Sequence, residues 1–211
     1  MLSIIDKKTD KTSAQALIIF AKNPVLGKVK TRLARDIGDA AALEIYQRLL
    51  AHTAKECRPL LETVDIFLYF SDEVPLLLSG FPPQDFRYRQ QRGADLGQRM
   101  ANAFADVFSA GYAQAVIIGT DCFELQTSHL LAAFAEIADA KNDFVIGPAL
   151  DGGYYLLAMR QLFAPIFVDK TWSSPTVLRN TVADILAQKL TIAYLPTLRD
   201  VDTVEDLPAG W

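Results

Sequence analysis

"ALIIFAKNPVLGKVKTRL" occupies residues 16–33. Its first six residues are an unbroken apolar run, the kind a strand buried on both faces shows. Pro24 and Gly27 then break the chain, and three cations follow at Lys28, Lys30 and Arg32. On an extended loop this alternate spacing turns all three to one side, and Gly27 lets the backbone bend close to a ligand. Arg offers a two-pronged fork to phosphate and Lys a compact point charge. The segment is not a Walker loop, because the first Gly is missing and Val29 follows Gly27–Lys28 where Ser or Thr would stand. No Gly-x-Gly-x-x-Gly occurs either. A solvated basic turn that pairs with nearby acids is the competing reading, and at this point both stand.

The same alternation of compact apolar runs with longer amphipathic ones continues outward. "DAAALEIYQRLLAHTAKECR" (39–58) sets Leu43, Tyr46, Leu50 and Ala54 at helical spacing. "VDIFLYF" (64–70) is a second buried strand, followed by a Pro-rich loop, and "DFRYRQQ" (85–91) alternates as a third. In "ADLGQRMANAFADVFSA" Asp95 is placed to cap a helix, with Gln98 at capping-box spacing. "QAVIIG" (114–119) predicts a strand and "TSHLLAAFAEIADA" a helix capped by Thr127 or Ser128. "DFVIGPA" and "YYLLAMR" predict two strands joined by "LDGG". Ser174 before Pro175 reads as the cap of a last helix, and "LTIAYLP" as a final strand. This order predicts an α/β three-layer sandwich around a mostly parallel sheet, which binds ligands at the carboxyl ends of its strands.

A chain of 211 residues with net charge −4 suits one domain, and the charge argues against nucleic acid as a partner. We expect a loose extension over residues 1–15 and a single domain over 16–211. Two distant cysteines, Cys57 and Cys122, argue against a disulfide framework or a structural zinc site and point to a reducing cytoplasm. The opening residues lack the apolar length and cleavage site of a signal peptide, and no run is long enough to span a membrane.

Several polar residues fall at predicted strand ends. "VIIGTDCFEL" leaves a strand at Asp121, a position from which a carboxylate holds Mg²⁺ together with substrate phosphates, or merely caps a turn. "LRDVDTVEDL" (198–207) crowds acids together. If its strand lies beside the one ending at Asp121, Asp202 faces Asp121 across a metal, with Asp200 as the competing ligand. The alternative is that these acids open a short helix at "TVEDL". Asp151 before Gly152 and Gly153 is a candidate acceptor-binding group or general base, and a tight hairpin explains the glycines equally well. "RGADLGQRM" supplies Arg92, Gly93 and a helix N-terminus, where anions bind. His52 and His129 have no partner at metal-ligand spacing. Trp172 is read mainly as packing.

Taken together, "FAKNPVLGKVKTRLA", "RGADLGQRM", "IIGTDC", "GPALDGGYYLL", "WSS" and "DVDTVEDL" resemble a bacterial glycosyltransferase-like family over nearly the whole chain from residue 16. It is the family known as arsenosugar-biosynthesis glycosyltransferases or radical-SAM/selenodomain-associated transferases. The resemblance implies a nucleotide-diphospho-sugar transferase (GT-A-like) fold. It implies phosphate binding by Gly27, Lys28, Lys30 and Arg32, and base or ribose contacts near Arg92, Gly93, Asp95 and Gly97. It also implies Mg²⁺ (or Mn²⁺) on Asp121 and Asp202. Phe123 stands where that family usually has Pro, and no glycosyltransferase DxD occurs at 121–123. The expected function is metal-dependent sugar transfer from a nucleotide-sugar to a small-molecule acceptor, with Lys30, Arg32 and Asp151 in catalysis. Nucleotidyl transfer with pyrophosphate release is the alternative, and a non-catalytic nucleotide-binding module the third reading.

Overall fold

The computed structural model describes residues 13–208, 210 and 211; most of the expected extension, residues 1–12, lies outside them. Seven strands make one sheet in the order β3-β2-β1-β4-β6-β5-β7. In chain order these are β1 (Gln15–Ala21), β2 (Asp65–Phe70), β3 (Phe86–Gln90), β4 (Gln114–Ile118), β5 (Phe144–Pro148), β6 (Tyr154–Met159) and β7 (Ile192–Tyr194). Only β6 opposes its neighbours; the other pairings are parallel. The helices are α1 (Thr31–Ile37), α2 (Asp39–Cys57), α3 (Leu96–Ser109), α4 (Thr127–Ala138) and α5 (Val177–Ala187).

The central strands are buried on both faces because helices cover both, and successive residues alternate between two cores. Leu17, Ile19, Leu68 and Val116 pack with Tyr46 and Leu50 of α2 and Leu130 and Phe134 of α4. Ala16, Ile18, Phe67 and Ile117 face the other way, onto Met100 and Phe104 of α3 and Ile185 of α5. The fold is the α/β three-layer sandwich that the periodicity predicts.

Local readings differ in three places. Residues 30–37 are not an extended loop: Lys30 is left-handed, with φ 47° and ψ 44°, and α1 starts at Thr31, so Arg32 projects from a helix. The N-cap of α4 is Gln126, not Thr127 or Ser128. His129 Nδ1 accepts from the Gln126 N–H, while the Thr127 hydroxyl is taken up by the carbonyl and carboxylate of Glu56. Ser174 does not cap α5, whose N-cap is Thr176; the Ser174 hydroxyl instead donates to the Thr171 carbonyl. Asp95 does cap α3, accepting from the Gln98 N–H at 2.8 Å.

Candidate functional site

After β1 the chain leaves on one side of the sheet to form β2 and β3, and β4 then pairs on the other side of β1. The carboxyl ends of β1 and β4 therefore flank the switch point, where loops diverge and leave a crevice. An open cleft of about 490 Å³ lies there. The loop after β1 contributes Lys22 and Lys30, α1 contributes Arg32, and the turn after β4 contributes Gly119, Thr120 and Asp121.

Tyr46 of α2 holds these two loops together. Its buried hydroxyl accepts from the Lys22 N–H at 2.8 Å and donates to the Lys22 carbonyl at 3.0 Å. The Thr120 hydroxyl approaches it at 3.4 Å. Burial pushes the phenol up to about 12, with the Thr120 contact opposing and the Asp121 carboxylate adding to the rise. Tyr46 thus stays neutral and keeps its donor proton.

Asp202 reaches the cleft by a route that the sequence reading did not foresee. The last strand, β7, pairs with β5 at the sheet edge and not with β4. The assumed strand adjacency is therefore corrected: the chain after β7 turns back across the strand ends. Leu198 N–H donates to the Pro148 carbonyl, Leu150 N–H to that of Leu198, and Val201 N–H to that of Asp121 at 2.9 Å. Arg199 N–H donates to Glu124. These bonds hold Asp200 and Asp202 beside Asp121. A capping box between Thr203 and Asp206 then starts the short 3₁₀ turn Val204–Asp206, as the "TVEDL" reading suggested.

Lys30 joins the acids. Its ammonium lies 2.6 Å from Asp121 and 3.4 Å from Asp202, with only 4 % of the side chain exposed. Arg32 reaches the other oxygen of Asp202 at 3.6 Å and remains more than half exposed. Half-buried Asp200 has its carboxyl pushed up to about 7, first by burial and then by the carboxylates of Asp121 and Asp151, with Lys30 opposing. The centre therefore has excess negative charge built from hard oxygen donors, the surroundings a divalent cation prefers. Among the described residues no three His, Cys, Asp or Glu side chains gather closely enough to hold a metal alone. Mg²⁺ needs only one or two carboxylates beside phosphate oxygens, so the set fits.

The remaining candidates divide. Asp151 lines the cleft, and its Oδ1 accepts from the Gly153 N–H at 2.8 Å. Gly152 turns at φ +89°, where a Cβ would come within 2.2 Å of the Pro175 carbonyl. Lys28 is exposed and Gly27 serves a turn at φ +73°; neither lines the cleft. Arg92 pairs with Asp106 on α3, Gly93 packs against Gln98, and Asp95 is occupied as a cap. Gly97 is a packing position, since a Cβ there would meet the Trp172 ring and the Phe167 carbonyl.

In their place the cleft receives Ser71, Gln91, Leu96 and Arg99, which sequence reasoning passed over. Gln91 Nε2 donates to the Tyr69 carbonyl at 3.0 Å, which fixes the side-chain amide. Arg99 stands one turn after the Asp95 cap, and helical side chains lean toward the N-terminus, so its spacing was the available signal. Trp172 both packs on Gly97 and lines the cleft. His52 and His129 are structural: His52 Nε2 donates to the Leu125 carbonyl at 2.7 Å. Phe123 fills the space between His52 and Trp211, with ring centroids 4.7 and 4.5 Å away.

Fold and cleft together define a class, the nucleotide-diphospho-sugar transferase (GT-A-like) fold that serves glycosyl- and cytidylyltransferases. Within it, the chain belongs to the family described as uncharacterized protein conserved in bacteria (DUF2064), whose signature matches residues 56–174, over half of the chain. A crystal structure from Desulfovibrio desulfuricans G20, provisionally named a nucleotide-diphospho-sugar transferase, is 30 % identical. The match covers 91 % of this chain and 84 % of that one, with a TM-score of 0.84. Two more distant structures share the fold. CMP:2-keto-3-deoxy-manno-octonic acid synthetase with CTP has 8 % identity, coverage of 90 % and 93 %, and TM-score 0.56. Glucosyl-3-phosphoglycerate synthase from Mycobacterium tuberculosis, with Mn²⁺, UDP and glucosyl-3-phosphoglycerate, has 9 % identity, coverage of 88 % and 70 %, and TM-score 0.56. No curated protein matches the chain in sequence. Among the described residues no helix is long and apolar enough to cross a membrane.

Proposed function

We propose that this protein is a metal-dependent glycosyltransferase that moves a sugar from a nucleotide-sugar to a small-molecule acceptor. The observation that carries the reading is the convergence of Lys30, Asp121 and Asp202 at the switch-point end of the sheet. Asp121 and Asp202, with Asp200 as the competing ligand, would hold Mg²⁺ or Mn²⁺. The ion would neutralise charge developing on the leaving diphosphate. Buried Lys30 would act on the same charge from a fixed position, with little reorganisation during bond breaking, and the more exposed Arg32 would add to it. Arg99 and Lys22 extend the cationic wall, and Gln91 and Leu96 offer the base one polar and one apolar contact.

Asp151 is the candidate base. The acceptor oxygen bonds to the anomeric carbon, the bond from that carbon to the diphosphate oxygen breaks, and its electron pair leaves with the diphosphate. The acceptor proton passes to Asp151. Nucleotidyl transfer is a second reading, favoured by the number of cations in the cleft: Lys22, Lys30, Arg32 and Arg99 suit a triphosphate. In that case an acceptor oxygen attacks the α-phosphorus and pyrophosphate departs.

Calorimetry against nucleoside triphosphates and nucleotide-sugars, with and without Mg²⁺, tests the proposal. Asp121→Asn and Asp202→Asn are expected to abolish metal-dependent binding and turnover while the melting curve stays cooperative. Unchanged metal-dependent activity in either variant removes that residue from the role. Pyrophosphate release from a triphosphate selects the second reading, and binding without metal dependence selects a binding module.

A further inference from the structure

The cleft is electrically asymmetric. Its cations, Lys22, Lys30, Arg32 and Arg99, come from the loop after β1, α1 and α3. The part built by the β5–β6 turn and residues 172–177 contains no lysine, arginine or histidine. It presents Asp151, Tyr154, Trp172, Ser173 and Ser174, with Asp200 beside them.

These groups are held in place. The Asp151 carboxylate is fixed by the Gly153 N–H, and the turn is locked where Leu178 N–H donates to the Gly152 carbonyl at 2.9 Å. The Trp172 ring rests against Gly97, which leaves no room for a side chain beneath it. The Ser174 hydroxyl lies 3.0 Å from that of Thr176 and donates to the Thr171 carbonyl. Lys170 stands close in sequence, yet its side chain is 2 % exposed and paired with Asp184 away from the cleft.

An anionic group entering between Asp151 and Trp172 would face the Asp151 carboxylate with no cation supplied by this part of the wall, and like charges so placed reject a partner. Hydroxyl groups gain from the same carboxylate, whose second oxygen accepts a hydrogen bond from them. A flat indole beside carboxylates suits a ligand with an apolar ring face and polar edges. We propose that the acceptor is a hydroxyl-rich, ring-bearing small molecule with no phosphate or carboxylate group, seated between Asp151 and Trp172. This rests on the transferase reading and adds the acceptor's chemical class to it.

The test uses the full chain and matched neutral and anionic pairs: glucose with glucose 6-phosphate, and myo-inositol with inositol 1-phosphate. Binding is followed by ligand-observed NMR, with the protein alone and with UDP and Mg²⁺. Preference for the neutral member by about tenfold or more in at least one pair is expected. Asp151→Lys should raise affinity for the phosphorylated member by about tenfold, and the isosteric Asp151→Asn should narrow the preference. Equal binding, preference for the phosphorylated member, or no binding by either neutral compound overturns the proposal. UDP and the other nucleotides are titrated separately; their failure to bind strikes the transferase reading, while the pair comparison is read on its own.

Discussion

Replacing Lys30 with Met is the sharpest perturbation, because it keeps the aliphatic stem and deletes only the charge. The ammonium is almost fully buried and contacts two carboxylates at 2.6 and 3.4 Å. Removing one partner of a fully buried ion pair costs about 3–5 kcal/mol. Here Asp121 and Asp202 keep 46 % and 36 % of their side-chain exposure, so water screens them and the figure falls to about 1–2 kcal/mol. For a chain of this size that lowers the melting temperature by roughly 2–8 °C. Lys30 also holds φ 47°, a strain that Met retains, so backbone relief does not mask the loss. Thermal melts report stability, and calorimetry with nucleotide and Mg²⁺ reports binding. Mg²⁺ should recover part of the lost stability by taking over neutralisation of the acids. An unchanged melting temperature together with unchanged nucleotide affinity would refute the reasoning, since the lysine would then be a bystander.

Three further outcomes are expected. Tyr46→Phe removes the hydroxyl that pins the loops after β1 and β4; chemical denaturation should show a loss of about 1–3 kcal/mol, with weakened nucleotide binding. Gly152→Ala forces a Cβ into the Pro175 carbonyl at positive φ and should destabilise by about 2 kcal/mol or more, read as a lower urea midpoint. Glu56 concerns pH: burial disfavours its ionised form, but the Thr127 N–H and hydroxyl, aided by His52, outweigh that and hold its pKa below the usual range. A lowered folded-state pKa means that its stabilisation is present above the unfolded value and fades as pH falls through the folded one. Urea titrations from pH 7 down to about pH 3 should therefore show a steeper loss in wild type than in Glu56→Gln; parallel curves would exclude Glu56 as a contributor.

Much of the fold is visible in residue order. The runs at 16–21, 64–70 and 114–119 are apolar without alternation because helices cover both sheet faces, and that gives them away as central strands. What escapes is set by contacts that no period records. Helix α1 has no side-chain cap and no acid in its first turn, and it begins from a left-handed lysine, so nothing announces it. Tyr46 sits at core spacing on α2 and looks like packing; its polar task appears only when two loops meet at its hydroxyl. The "RGADLG" motif marks the right neighbourhood, yet Gln91, Leu96 and Arg99 line the cleft while Arg92, Asp95 and Gly97 do not. Chain order shows that such residues are near one another but not which way each side chain leans. The acids around residue 202 lie beside Asp121, but the chain brings them there by its return across the strand ends and not by the strand adjacency that the residue order suggests.

That return path has a further consequence. The C-terminal acids follow β7, a three-residue strand at the sheet edge with an exposed tyrosine, and edges of that kind open before cores do. Fraying that spread from there through the Leu198–Pro148 and Val201–Asp121 bonds would carry Asp200 and Asp202 off while α2, α3 and the central strands stayed packed. Under the proposed role, metal-dependent nucleotide binding should thus vanish some degrees below the cooperative loss of helical signal, an early thermometer for the fold's weakest margin.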